Sequence, residues 1–88
     1  MPFFVYLLEC RDGSYYCGYT SDLGKRVERH NMGFGGRYTR SHRPVKLVYF
    51  EKKRTRKAAM RAERDIKKFS RAKKILMAGK AMAKTQKH

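Results

Sequence analysis

Hydrophobic side chains along this chain concentrate in three short stretches whose composition predicts β-strands. Residues 3–10 read FFVYLLEC and carry apolar side chains on both faces, which is typical of a central strand. The segment 15–20, YYCGYT, predicts a second strand after the turn residues at 11–13, RDG. A third strand is predicted at 45–52, VKLVYFEK, with Pro44 marking its start.

Helices are predicted between and after these strands, each starting at a hydroxyl residue that can cap its first turn. They are expected to end near Asn31, Phe69 and Gly79, with the respective caps at Thr20 or Ser21, at Thr55 and at Ser70. The glycines between 33 and 36 predict a flexible loop. Residues 1–79 are therefore expected to form one domain, and residues 80–88 a flexible basic tail without an apolar face.

The turn between the first two strands decides which side chains share a face. A two-residue loop would place Tyr6 and Tyr16 on opposite faces of the hairpin. A three-residue loop, with Gly13 in the left-handed conformation, pairs Leu8 with Tyr16 and Tyr6 with Gly18. We favour the three-residue loop, which makes the two tyrosines diagonal neighbours on one face.

Positive charge is confined to the later part of the chain. The 88 residues include 23 Lys and Arg against 7 Asp and Glu, a formal charge of +16, and residues 37–88 carry all of this excess. Such a field repels itself unless a polyanion binds, and Lys and Arg bind nucleic-acid phosphates without needing a particular sequence. Nucleic acid is therefore the expected partner; a merely basic soluble protein or a binder of anionic membranes is the alternative.

The composition also indicates the cellular compartment in which the protein is expected. The apolar runs are shorter than the roughly 18 residues of a membrane span, and no secretion signal is recognisable, so a soluble protein without a membrane partner is expected. The favoured hairpin sends Cys10 and Cys17 to opposite faces, which argues against a disulfide between them. Two cysteines and three histidines make no zinc-spaced cluster, and a reducing cytoplasm is the simplest setting.

Two predicted helices place polar groups beside their apolar faces. In the first, Arg26 and His30 flank the stripe defined by Leu23 and Val27, where they are either a snorkelling Arg and a half-buried His or a pair that binds phosphate. In the second, Glu63 lies beside the apolar stripe of a strongly basic helix. This carboxylate either pairs with a cation such as Arg26 or holds a metal ion.

Five short motifs contain these groups: Tyr6 in FVYLLEC, Tyr16 to Gly18 in YYCGYT, Arg26 and His30 in DLGKRVERHN, Tyr38 in GGRYTR, and Glu63 in AAMRAERDIKK. Their order and spacing resemble the GIY-YIG nuclease superfamily. More narrowly, the chain is similar to its small single-domain bacterial members, which are related to the nuclease domain of the excision-repair protein UvrC. The resemblance covers roughly residues 3–77.

The resemblance implies an α+β fold, with a three-stranded antiparallel sheet flanked by helices, and a shallow site that hydrolyses a DNA phosphodiester bond with one divalent cation. By this resemblance Glu63 would bind Mg²⁺ or Mn²⁺, and Arg26 with His30 would hold the scissile phosphate. Tyr6 or Tyr16 would act as general base after nearby cations lower its pKa.

Further residues are expected at the edge of this site. Tyr38 would line it by the same resemblance, although a loop aromatic packed on the sheet is an equal interpretation. The basic residues expected to bind the nucleic-acid backbone are Arg37, Arg40, Arg43 and Lys67.

The chain departs from the family pattern at three points. The first motif reads Phe4-Val5-Tyr6 without the glycine, Cys17 replaces the usual aliphatic residue, and no asparagine follows Glu63. Two functions therefore stay open: a metal-dependent endonuclease in DNA repair or recombination, and a non-catalytic DNA- or RNA-binding protein that keeps the nuclease fold. Without a domain that reads sequence, a protein partner is expected to supply specificity.

Overall fold

The computed structural model describes residues 2–79, so the predicted tail at 80–88 lies outside the described residues. Within these residues, three strands and four helices follow one another. They are β1 (Phe3–Glu9), β2 (Tyr15–Thr20), α1 (Leu23–Asn31), α2 (Arg37–Ser41), β3 (Lys46–Lys53), α3 (Arg56–Lys67) and α4 (Arg71–Met77). No helix within residues 2–79 is long and apolar enough to cross a bilayer.

The strands form one antiparallel sheet in the order β2-β1-β3. This confirms the predicted α+β class and the central position of β1, whose apolar side chains must be covered on both faces. One face packs against α3 through a cluster that includes Val5, Leu7 and Ile66. The other face packs against α1 through a cluster that includes Tyr6 and Leu8. Because β2 is an edge strand, groups from both helix layers can meet along its open side.

The three-residue hairpin loop is confirmed. Gly13 has a φ of +86°, the left-handed conformation that this loop requires. Tyr6 lies opposite Gly18, and Leu8 lies opposite Tyr16, so the two tyrosines share the face that α1 covers. The two cysteines are both free thiols, as predicted, and they belong to different clusters on opposite faces of the sheet.

The helix starts are confirmed for two of the three predicted helices and wrong for the first. Thr55 and Ser70 cap α3 and α4 by accepting hydrogen bonds from backbone N–H groups. At α1 the cap is Asp22, whose carboxylate accepts from the Lys25 N–H at 3.0 Å. Thr20 instead accepts a hydrogen bond from the Asp22 N–H at 3.1 Å, so it orients the residue that caps the helix.

The short helix α2 was not predicted, and it lies where the loop after the glycines was expected. Its five residues make little more than one turn, and no side chain caps its N-terminus at Gly36. Such a segment carries no apolar periodicity from which it could be identified. It places Tyr38 and Thr39 over the end of α1.

Gly18→Ala is expected to destabilise the protein by about 1–3 kcal/mol, because a methyl group here would lie 2.6 Å from the Tyr6 hydroxyl oxygen. Tyr6 is 2% exposed and hydrogen-bonded, so its ring cannot move aside cheaply. Urea unfolding followed by circular dichroism measures the loss. Gly24→Ala is the matched control, since its Cβ would meet only an Asp22 oxygen at 3.9 Å; equal stability of the two variants would contradict this packing.

Candidate active site

The candidate site forms along the open side of β2, where groups from β1, α1 and α3 approach one another. Burial is the largest influence on Tyr6 and raises its pKa. The charges of Tyr16, Arg26 and Glu63 also act on that pKa, which means that these groups lie within electrostatic reach of one phenol. Three of the residues that the sequence singled out, Tyr16, Arg26 and Glu63, therefore lie around a fourth, Tyr6.

His30 ties the central strand to both helices on its face. Its Nε2 lies 3.1 Å from the Tyr6 hydroxyl, and its Nδ1 lies 2.7 Å from the Thr39 hydroxyl. Thr39 donates its single proton to the Gly36 carbonyl oxygen at 3.4 Å, so Nδ1–H donates to Thr39 and Nε2 accepts from Tyr6. The Tyr6 proton is thus held in a bond directed away from the open side of β2.

The imidazole of His30 is more completely buried than its position on α1 predicted. His30 is 0% exposed, whereas the sequence placed it half-buried on the flank of α1. The backbone of Gly35 packs directly on its ring, at a point where any Cβ would collide with it. Burial, and then the charge of Arg26, lower the pKa of His30, so the ring is neutral at neutral pH. In this geometry His30 holds the Tyr6 hydroxyl in place through their hydrogen bond.

The two tyrosines have different surroundings. Tyr6 is buried, and its hydroxyl is hydrogen-bonded to His30. Tyr16 is only partly buried; it packs its ring edge to face against His30 at 5.2 Å and lines an open hollow of about 300 Å³. Of the two phenols, Tyr16 is the one that solvent and a bound strand can reach.

Arg26 presents a cation to the same region. Its side chain is partly buried and lines a hollow together with Lys25 and Arg29. The guanidinium makes no hydrogen bond or ion pair with any residue between 2 and 79. A partly desolvated guanidinium without a carboxylate partner is suited to an anionic ligand such as phosphate.

Glu63 pairs with Lys67 rather than with Arg26. Its Oε2 lies 3.6 Å from the Lys67 Nζ, one helical turn further along α3, and its side chain stays 25% exposed. The Glu63 carbonyl oxygen accepts a long hydrogen bond from the Cys17 thiol at 3.9 Å, which fixes this turn of α3 against β2. The carboxylate therefore lies at the sheet edge with water access.

The donor set fits a hard divalent cation that keeps most of its water. Residues 2–79 hold no group of three His, Cys, Asp or Glu side chains that could enclose a metal. Burial, followed by the charge of Glu63, raises the pKa of Cys17 to about 11, so this thiol is protonated at neutral pH. One exposed carboxylate matches Mg²⁺ or Mn²⁺ bound through a single protein ligand, water and a substrate phosphate.

Tyr38 lies on α2, is 41% exposed, and stacks against His42. Its hydroxyl donates to the Ser14 Oγ at 2.6 Å, a contact to the hairpin that the sequence did not predict. Tyr38 thus lies in a short helix, and its ring packs beside Tyr16 of β2 at a centroid distance of 6.3 Å. The basic residues expected to bind nucleic acid all have exposed side chains: Arg37, Arg40, Arg43 and Lys67.

The site also contains a residue that sequence reasoning missed. Thr39 is 0% exposed and supplies the acceptor that orients His30. It occurs in a helix of five residues beside an exposed tyrosine, so neither periodicity nor a motif marks it. Only its position next to Tyr38 in the glycine-rich segment was a signal.

Comparison with known proteins extends over the whole of this site. The family model described as the GIY-YIG catalytic domain matches residues 2–75. A UPF0213 protein of Staphylococcus aureus strain Mu3 is 49% identical over 72 residues, which are 82% of this chain and 88% of the relative. The solution NMR structure of a UPF0213 protein from Bacillus halodurans is 42% identical with a TM-score of 0.56, over 90% of this chain and 84% of that one. A solution structure of an E. faecalis protein is 38% identical with a TM-score of 0.58, over 97% and 85% of the two chains.

The buried imidazole predicts a dependence of stability on pH. Because the folded-state pKa of His30 lies below its unfolded value of about 6.5, the unfolded chain binds the proton more readily. The stabilisation is present above pH 6.5, and the free energy of unfolding should fall as the pH falls through the folded-state pKa. Urea unfolding at several pH values between about 5 and 8 measures this slope.

The slope should be reduced in His30→Gln, which keeps a hydrogen-bonding side chain that does not titrate. His42→Gln is the matched control and should retain the slope, since the His42 ring is partly exposed. A slope that survives His30→Gln and disappears in His42→Gln would show that another imidazole carries it.

Proposed function

Because the chain belongs to the GIY-YIG family, as its motifs predicted, we propose that it is a metal-dependent endonuclease that hydrolyses DNA phosphodiester bonds. The observation that supports this most strongly is the convergence of Tyr16, Arg26 and Glu63 around the sealed Tyr6–His30 pair. A phenol, a cation without a partner and a partly exposed carboxylate are the groups that a hydrolytic reaction on phosphate needs.

Arg26 is assigned to the scissile phosphate. Its guanidinium neutralises a non-bridging oxygen and holds the phosphorus in reach of the attacking water. Lys25 and Arg29, which line the same hollow, add positive potential that favours a bound strand. His30, being neutral and sealed, positions Tyr6 and α2 and does not touch the phosphate itself.

Tyr16 is assigned as the general base that takes a proton from the attacking water. The guanidinium of Arg26, together with a divalent cation when one is bound at Glu63, would supply the positive potential that favours a phenolate. Tyr6 is the poorer base, because burial raises its pKa and its hydroxyl proton is given to His30. As the hydroxide forms its bond to phosphorus, the bond to the leaving oxygen breaks.

Glu63 is assigned to the divalent cation, Mg²⁺ or Mn²⁺. When bound there, such an ion would stabilise negative charge on the phosphate oxygens during hydrolysis. The Lys67 Nζ lies 3.6 Å from the Glu63 Oε2 and orients this carboxylate at the sheet edge.

The second candidate function is a DNA- or RNA-binding protein without catalysis. The missing asparagine after Glu63 and the charge of +16 favour it, since neither depends on a working site. Cleavage assays decide between the two.

The charge and the open site also bear on the preferred DNA substrate and on possible partners. Exposed cations on α2 and α3 contact the backbone more readily than bases, so DNA shape should matter more than sequence, as in repair or recombination. Any sequence preference would come from a protein partner. Two free cysteines fit a cytoplasmic protein, with residues 1–79 as the nuclease domain and 80–88 as a basic tail.

Glu63→Gln is expected to lower Mg²⁺- or Mn²⁺-dependent nicking of supercoiled DNA at least about 10²-fold, because it removes the ligand charge while keeping the side-chain volume. Affinity for DNA should stay within a few-fold of the wild type. Asp65→Asn is the matched control, since it removes an exposed carboxylate from the same helix and should nick normally. Unchanged nicking by Glu63→Gln would remove this residue from the site.

Tyr16→Phe is expected to reduce cleavage about 10²- to 10⁴-fold without a matching loss of stability, because the hydroxyl alone is removed. Tyr6→Phe should instead lower the free energy of unfolding by about 1–3 kcal/mol, since it leaves the His30 Nε2 without a donor. Single-turnover cleavage and urea unfolding of both variants separate the two effects. The assignment is wrong if Tyr6→Phe abolishes cleavage at full stability and Tyr16→Phe cleaves normally.

A further inference from the structure

The hollow lined by Tyr16 and Tyr38 also contains Tyr15 and Lys74, which have no part in the hydrolytic roles above. We propose that it binds one unpaired nucleobase of the substrate strand, so that the preferred substrate is DNA with a single-stranded or unpaired nucleotide beside the scissile phosphate. The proposal rests on the proposed nuclease function and names its substrate class.

The ring of Tyr38 is held as a fixed platform. Its hydroxyl donates to the Ser14 Oγ at 2.6 Å, and Ser14 donates in turn to the Asp12 Oδ1 at 2.6 Å. On one face the His42 ring stacks at 4.1 Å with an angle of 10° between the planes. Since the hydroxyl is engaged and one face is covered, what Tyr38 offers to a ligand is its remaining face.

The rings of Tyr16 and Tyr38 lie side by side in this hollow. They are nearly parallel, with an angle of 16° and a centroid distance of 6.3 Å. This is the geometry of an offset-stacked pair, whose centroids lie roughly 4.5–7 Å apart, so the two rings together form an aromatic wall. A planar group that enters the hollow can stack on this wall after a small side-chain adjustment, which is common on binding.

The size and charge of the hollow select a nucleotide. Its volume of about 300 Å³ suits one base. Lys67 and Lys74 also line it, so cations stand where the phosphates of a stacked nucleotide can bind. Base stacking on aromatic rings tolerates every base, because each has a π-face.

A base inside a duplex cannot use this site. Both of its faces are covered by neighbouring base pairs, so it must be unpaired or flipped out before it can stack on a protein ring. Tyr16 lines the hollow and also belongs to the proposed hydrolytic group. The backbone of a nucleotide stacked here would therefore lie close to the proposed general base.

Binding without cleavage tests the proposal. The full chain is titrated in EDTA, by fluorescence anisotropy, into two DNAs that are identical except for one extra unpaired purine in the middle of one strand. The wild type should bind the DNA with the unpaired base at least roughly fivefold more tightly. Tyr38→Phe should keep this preference because the ring remains, and Tyr38→Leu should lose it.

Tyr19→Leu is the matched control, since it removes a phenol of β2 that accepts a hydrogen bond from Arg56 and does not line the hollow, and it should keep the preference. A second readout needs no truncated side chain: on addition of single-stranded DNA, ring-current effects should shift the Tyr38 ring protons of the wild type upfield in NMR spectra. Equal affinity for the two DNAs, or a preference retained by Tyr38→Leu, would overturn the base-stacking site.

The two proposals fail separately. Cleavage of both DNAs by the wild type in Mg²⁺, with equal affinities in EDTA, overturns base stacking and leaves the nuclease in place. A preference for the unpaired base with no cleavage of any DNA supports the stacking site in a binding protein and overturns the nuclease.

Discussion

The hydrogen bond from the Tyr6 hydroxyl to the His30 Nε2, 3.1 Å long and sealed from water, is the contact on which the site depends. It joins the central strand to α1, and the bond from His30 to Thr39 extends the link to α2. An unsatisfied buried polar group costs about 1–3 kcal/mol, so the three residues specify one another's positions. Gly18 and Gly35 make the arrangement possible, because a side chain at either would collide with Tyr6 or His30.

This buried hydrogen bond gives different environments to two tyrosines that the sequence could not distinguish. In the proposed mechanism Tyr6 is structural, because burial raises its pKa and its hydroxyl donates to His30. Tyr16, one diagonal step away on the edge strand, keeps an accessible hydroxyl and a ring that lines the hollow. The carboxylate reaches the same edge from α3 on the opposite face of the sheet, which is possible because no further strand pairs with β2 in the described part of the chain.

Local sequence patterns predicted the register of the hairpin and the family, but they did not predict how deeply His30 is buried. The Gly13 turn fixed the register of Tyr6 and Tyr16, since loop length and strand alternation are local properties. The burial of His30 depends on α2 and on Gly35 packing over the end of α1, contacts between segments that helical periodicity does not contain. The ion pair between Glu63 and Lys67 could have been predicted, because residues four apart on a helix are neighbours. The cation expected to pair with Glu63 was Arg26.

The proposed hydrolysis depends on a cation bound at Glu63 on the open side of β2. Paramagnetic broadening of amide signals, recorded as Mn²⁺ is added in small amounts to the isotopically labelled protein, locates such a cation. Broadening should be centred on Glu63 and on the facing residues of β2 around Cys17 and Gly18, and it should disappear in Glu63→Gln. Broadening centred on Asp12 or Asp22, or unchanged by Glu63→Gln, would show that the cation does not bind at Glu63.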